Sequence, residues 1–133
     1  MRNVEHIGIA VKDFREANAL YFKLLGVEPY KTEFVSSENV NTSFFKVGDT
    51  KIELLEGTTE DSAITKFIRK RGEGIHHIAF EVEDIYKEMD RLKQEGFTLL
   101  NEKPKKGADN KLVCFVHPKS AYGVLIELTQ EIR

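Results

Sequence analysis

At 133 residues the chain is long enough for one hydrophobic core and too short for two ordinary independent domains. Its 41% hydrophobic and 32% charged residues are those of a globular protein, and a formal net charge of −2 gives no electrostatic case for nucleic acid or an acidic membrane. No apolar run approaches the length of a membrane span and no charged-then-apolar leader is visible, so a cytoplasmic location is expected.

Residues 4–11 alternate in the manner of a strand, with Val4 out of phase. Asp13 follows at a helix N-cap position with Glu16 three residues on, a capping-box pattern. Phe14, Ala17, Leu20 or Tyr21, and Leu24 continue at helical spacing, and Gly26 closes the helix. Weaker strand patterns occupy about 28–35 and 40–47, and the turn Gly48-Asp49-Thr50 leads into a strong strand at 51–55. Residues 61–69 read as a short helix that runs into the basic cluster Arg69-Lys70-Arg71, a solvated helix end. The second half repeats the plan: a strand at 75–82, a helix from Asp84 through Ile85, Met89 and Leu92 to Gly96, and strands near 97–100, 111–117 and 123–129. Cys114, the single cysteine, excludes an intramolecular disulfide and reads as a small buried hydrophobe in Val113-Cys114-Phe115-Val116.

The repeat is also literal. One constant offset pairs His6 with His77, Val11 with Val82 and Asp13 with Asp84, and Lys51-Ile52-Glu53-Leu54-Leu55 is echoed by Leu125-Ile126-Glu127-Leu128. The order βαβββ, connector, βαβββ therefore reflects duplication. It predicts an α+β chain, one domain over 1–133 with modules at about 3–58 and 74–130. The modules are expected to form a curved mixed sheet with helices on its convex side and a cup on the other.

Strand parity assigns the side chains to faces. Ile7, Ile9 and Val11 form the set that packs under a helix, which leaves His6, Gly8 and Ala10 opposite; in the repeat Ile78, Phe80 and Val82 leave His77, Ala79 and Glu81 opposite. Ile52 and Leu54 bracket Glu53, and Ile126 and Leu128 bracket Glu127. Two histidines and two glutamates thus point away from the apolar face, beside the small residues Gly8, Ala10 and Ala79. That is the donor set of a metal site, although a single strand Glu is commonly a solvated residue and a single strand His a hydrogen-bonded one. His76 falls on the helix-facing side and reads as structural, while His117, at a strand end before Pro118, is ambiguous.

The stretches His6-Ile7-Gly8-Ile9-Ala10-Val11, Val47 to Glu56, Arg71 to Val82, and His117-Pro118-Lys119-Ser120 with Gly123 to Leu128 resemble the vicinal oxygen chelate (glyoxalase/bleomycin resistance/dioxygenase) superfamily over the full length. Within it the chain is most similar to the methylmalonyl-CoA epimerases. The resemblance implies a divalent metal (Co²⁺, Zn²⁺, Ni²⁺ or Mn²⁺) held by His6, Glu53, His77 and Glu127. It implies interconversion of the 2R and 2S forms of methylmalonyl-CoA by α-proton abstraction through a metal-stabilised enolate, with Glu127 as a catalytic base. It also implies a small acyl-CoA partner and a homodimer. The opposing acid/base of some epimerases falls on Thr42 here, with Glu38 the nearest carboxylate. Asp109, Asn110, Ala121 and Tyr122 depart from the family pattern in loops expected at the mouth of the cup.

Three other readings use the same fold. Glyoxalase I acts on a glutathione hemithioacetal with the same metal set, but its bacterial members carry arginines near the first strand and after the first helix. This chain has only Arg2 before the first strand and none in Gly26 to Lys31. A metal-independent binding or resistance protein has no need of four ligand-type residues. Extradiol dioxygenases use two His and one Glu, which a ligating Glu53 argues against.

Overall fold

The computed structural model describes residues 1–132. It comprises β1 (Asn3–Ala10), α1 (Phe14–Leu25), β2 (Lys31–Val35), β3 (Val40–Val47), β4 (Thr50–Gly57), α2 (Ala63–Arg71), β5 (Gly74–Glu81), α3 (Ile85–Gln94), β6 (Lys105–Lys106), β7 (Lys111–Val116) and β8 (Ile126–Glu131). The chain divides into two compact units, one of His6–His76 and the other of Met1–Glu5 with the chain from His77 onward.

In the His6–His76 unit the strand order is β2-β3-β4-β1, with β1 parallel to β4 and the other pairs antiparallel. Helix α1 begins where Asp13 accepts a hydrogen bond from the Glu16 N–H (3.0 Å) and ends at Gly26, whose φ of 74° suits a residue without a Cβ. Ala17, Tyr21 and Leu25 of α1 pack on Ile9, Val11, Phe45, Ile52 and Leu54, the apolar face predicted by parity. The connector helix α2 lies on the other face, where Ile64, Phe67 and Ile68 cover Ala10, Val40 and Leu55.

The second unit repeats the order as β6-β7-β8-β5, with β5 parallel to β8. Asp84 caps α3 by accepting from the Lys87 N–H, and Ile85, Met89 and Leu92 pack on Val82, Cys114, Val116 and Leu128. Burying seven such side chains in one cluster is worth roughly 1.5–3 kcal/mol for each large one before entropy is counted.

The expected strand at 97–100 is not formed; Leu99 makes a single bridge to Val116, and the edge strand is the two-residue β6. Half of the pairing survives, with the Leu100 N–H bonded to the Phe115 carbonyl and the His117 N–H to the Thr98 carbonyl (2.8 Å each), and side chains take the reciprocal donors. Asn101 Oδ1 accepts from the Phe115 N–H (2.9 Å), and Ser120 Oγ accepts from the Thr98 N–H (2.9 Å). Pro104 has no N–H to offer a ladder. The last strand starts at Ile126 rather than 123 because residues 118–121 form a 3₁₀ turn capped by Tyr122 in the left-handed region.

Candidate functional site

Each unit builds one buried histidine–glutamate pair. In the first, Gly8 stands beside Glu53 in the parallel register of β1 and β4, and His6 Nδ1 lies 3.0 Å from Glu53 Oε2. Ile52 and Leu54 are committed to the α1 face, so Glu53 between them must point the other way. In the second, Ala79 stands beside Glu127, and His77 Nε2 lies 3.2 Å from Glu127 Oε1. Leu128 and Ile126 are committed to α3 in the same manner. All four side chains are buried, at 5–6% exposure.

An aromatic ring backs each pair. Phe44 is the register partner of Glu53 on β3, and Phe115 is that of Glu127 on β7. The Phe115 ring meets His77 edge-on, 6.0 Å between centroids at 84°, which restrains the imidazole. A carboxylate taken out of water is costly unless its charge is matched. A neutral imidazole matches it only in part, whereas a divalent cation would match it in full. The donor chemistry therefore fits a divalent ion.

The sheet faces that carry these pairs differ at their far ends. In the first unit α2 closes that end with Ile64 over Ala10, so Ala10 belongs to a packed cluster rather than to open space. In the second unit the equivalent strand positions are Glu81, Thr129 and Lys111. Arg2 Nη1 pairs with Glu81 (3.8 Å), and Lys111 Nζ lies 3.9 Å from both Glu5 and Glu131. Thr129 Oγ1 is buried with no hydrogen-bond partner. Sequence reading did not single out Glu5 or Lys111; the available signal was Glu5, a charge directly before the ligand-face histidine.

The remaining candidates fall elsewhere. The His76 ring stands edge-on to Phe67 of α2, 4.9 Å between centroids, a packing contact rather than a place beside His77 and Glu127. His117 caps the 3₁₀ turn, its Nδ1 accepting from the Lys119 N–H (3.0 Å). Cys114 is fully buried, and desolvation pushes its thiol pKa up. Arg69, Lys70 and Arg71 are exposed at the end of α2, with Arg69 paired to Glu60. Glu38 lies in the turn joining β2 to β3, its N–H bonded to the Val35 carbonyl, whereas the register partner of Thr42 is Glu33.

Residues 5–115 match the model of the Glyoxalase/Bleomycin resistance protein/Dioxygenase superfamily. The chain belongs to this superfamily. It is 43% identical over 129 residues to the ethylmalonyl-CoA/methylmalonyl-CoA epimerase of Cereibacter sphaeroides, covering 96% of either chain. A variant of the Streptomyces coelicolor methylmalonyl-CoA epimerase, solved in complex with 2-nitronate-propionyl-CoA, superimposes with a TM-score of 0.95 at 34% identity, over 98% of this chain and 95% of that one. A methylmalonyl-CoA epimerase in complex with methylmalonyl-CoA and NH4+ matches equally well, with a TM-score of 0.95, 34% identity and the same coverage. The glyoxalase-like fold expected from the sequence is thus the fold of these proteins. The isomerase class expected for the chain is also theirs.

Proposed function

We propose that the two units act as one domain and that His6, Glu53, His77 and Glu127 together hold one divalent metal ion. The domain would catalyse epimerisation of methylmalonyl-CoA. The observation that carries the reading is the recurrence of a buried His–Glu pair, at 3.0 and 3.2 Å, in each copy of the same strand order. Two donors are too few for a closed metal site and four are the usual number. The full-length similarity to epimerases supports the substrate.

When bound, the ion supplies Lewis-acid stabilisation of the negative charge that develops on a thioester oxygen. Glu127 moves the proton between the α-carbon and its own carboxylate. His77, 3.2 Å away and fixed by Phe115, restrains that carboxylate while it does so. Burial of the four side chains keeps water from competing for the abstracted proton. A homodimer completes the proposal by resemblance and is open to sizing by light scattering.

Purified protein incubated with (2R)- or (2S)-methylmalonyl-CoA in D₂O is expected to exchange the α-proton. The exchange is expected to depend on a stoichiometric divalent metal and to be lost in Glu127→Gln but kept in His76→Ala. No exchange together with turnover of a methylglyoxal–glutathione adduct would move the assignment to a glyoxalase. Absence of stoichiometric metal after reconstitution would leave a binding protein.

A further inference from the structure

The second unit, which includes Met1–Glu5, buries a lysine that the proposed function does not use. Lys111 opens β7 at 8% exposure, opposite Glu131 in the register of β8. Its ammonium pairs with two carboxylates at 3.9 Å each: Glu131, which is exposed, and Glu5, which is 2% exposed. Attraction at a given distance grows as the surroundings become less polar, so the buried Glu5 is the stronger partner. Lysine and glutamate are almost never buried this far unless paired. Yet exchanging a buried ion pair for packed aliphatic side chains is often neutral or stabilising. Stability alone does not account for the pair.

The position of Glu5 in the chain does. It directly precedes His6, and successive strand side chains ordinarily diverge to opposite faces. Here they converge. A Glu5 carboxylate oxygen and a His6 ring nitrogen lie within 4.8 Å of each other, and both residues are buried. Glu5 is therefore an additional oxygen donor beside one member of the proposed metal site. Under the proposed function two neutral imidazoles and two carboxylates already balance the charge of a divalent ion. A third carboxylate would be attracted to the same ion and would fill a position that a catalytic site, unlike a structural one, keeps open. We infer that Lys111 is a positioning residue of that site: its ammonium holds the Glu5 carboxylate out of the coordination shell and leaves a position for the substrate. A carboxylate already matched by a buried ammonium has less to gain from moving to the cation, and its departure would strand the lysine charge. Glu131 bears on the same ammonium from the solvent side, too exposed to replace Glu5 as its counter-charge.

This inference rests on the proposed metal site, and one set of measurements separates the two. Apo protein is titrated with Mn²⁺, and water-proton relaxation of the loaded protein reports the positions on the ion still held by exchangeable water. Wild type is expected to bind one ion and to retain such water. In Lys111→Met the released Glu5 is expected to join the ligands, raising Mn²⁺ affinity about tenfold or more, the scale on which groups around metal ligands shift binding. The relaxation enhancement is expected to fall with it, as coordinated water is displaced. Lys111→Gln carries the same expectation, and Lys111→Arg should keep wild-type values. Lys111→Met with Glu5→Gln is expected to restore both affinity and enhancement, which a misfolded variant would not do. Glu5→Gln alone should bind Mn²⁺ within about threefold of wild type, well inside the effect of losing a neighbour of the ligands. An affinity in Lys111→Met and Lys111→Gln equal to or below that of wild type overturns the inference. So does markedly weaker binding by Glu5→Gln, since Glu5 would then be a ligand already. A wild type that binds no stoichiometric ion overturns the metal site and this inference with it.

Discussion

Gly57, the last residue of β4, is where the connector helix is fitted to the first unit, and Gly57→Ala measures how tightly. A Cβ there would stand 2.1 Å from Thr65 Oγ1, 2.9 Å from Ser62 Oγ and 2.9 Å from the Thr65 backbone nitrogen. The threonine hydroxyl can rotate away, but the backbone nitrogen yields only if α2 moves. Ser62 caps that helix by accepting from the Ile64 N–H (3.3 Å), and Ile64 is buried against Ala10, Val40 and Leu55. Overpacking of this kind costs about 1–3 kcal/mol, and disturbing an N-cap adds about 1 kcal/mol. An unfolding entropy of about 2.1 cal/mol/K per residue makes a loss of 2–4 kcal/mol a fall of roughly 7–14 °C in Tm. The sign discriminates as well as the size. The φ of Gly57 lies outside the left-handed region, so without the clash alanine would stabilise by about 0.4–1 kcal/mol through the unfolded chain. Thermal and urea unfolding of Gly57→Ala, and of Gly57→Ala with Thr65→Ala, should show destabilisation with partial recovery in the double variant. An unchanged or raised Tm in the single variant would falsify the close fit of α2.

Thr129→Val should raise stability by about 1–2 kcal/mol in urea melts, because the buried Thr129 hydroxyl has no partner and a methyl needs none. Leu128→Ala, at a fully buried position under α3, should cost about 3–5 kcal/mol by the same assay. Hydrogen bonding to Arg91 holds the Glu88 carboxyl below its usual pKa, so its stabilisation is complete above about pH 4.3, where a free glutamate ionises, and is lost as acid titrates the folded protein below that. Glu88→Gln should therefore flatten the acid limb of a stability–pH profile and leave its slope near neutrality unchanged. Cys114 should resist a thiol-modifying disulfide reagent in the native state and react on unfolding, since burial both shields its thiol and raises its pKa.

Much of this architecture was legible because duplication made each motif state itself twice. Parity placed Glu53 and Glu127 away from the helices, since each is flanked on both sides by aliphatic residues with nowhere else to go. The same rule separated His77 from His76. It did not find the end of the second unit's ligand face, because a lysine opening a strand pattern at Lys111 reads as a solvated residue, and its pairing with Glu5 and Glu131 depends on contacts far apart in sequence. The strand expected at 97–100 failed for a related reason. Backbone pairing is confined to the Leu99–Val116 bridge and its two flanking bonds, because Asn101 and Ser120 side chains take the Phe115 and Thr98 N–H groups that a longer ladder would have used.

The two halves share one pair of side chains and differ beyond it. Both keep the same strand order and the same His–Glu contact, with an aromatic register partner behind the glutamate. Beyond that pair the first unit seals its face with the apolar side chains of α2, and the second fills the equivalent positions with Glu81, Thr129 and Lys111. A closed hydrophobic end is rigid and dry. A partly satisfied polar end is costlier to maintain and leaves an unpaired hydroxyl two residues along β8 from Glu127. A duplicated fold under selection for stability alone would be expected to have replaced that end with packed aliphatics. Under the proposed function its retention beside one glutamate and not the other matches unequal duties for the pair, with Glu53 to hold charge and Glu127 to move it.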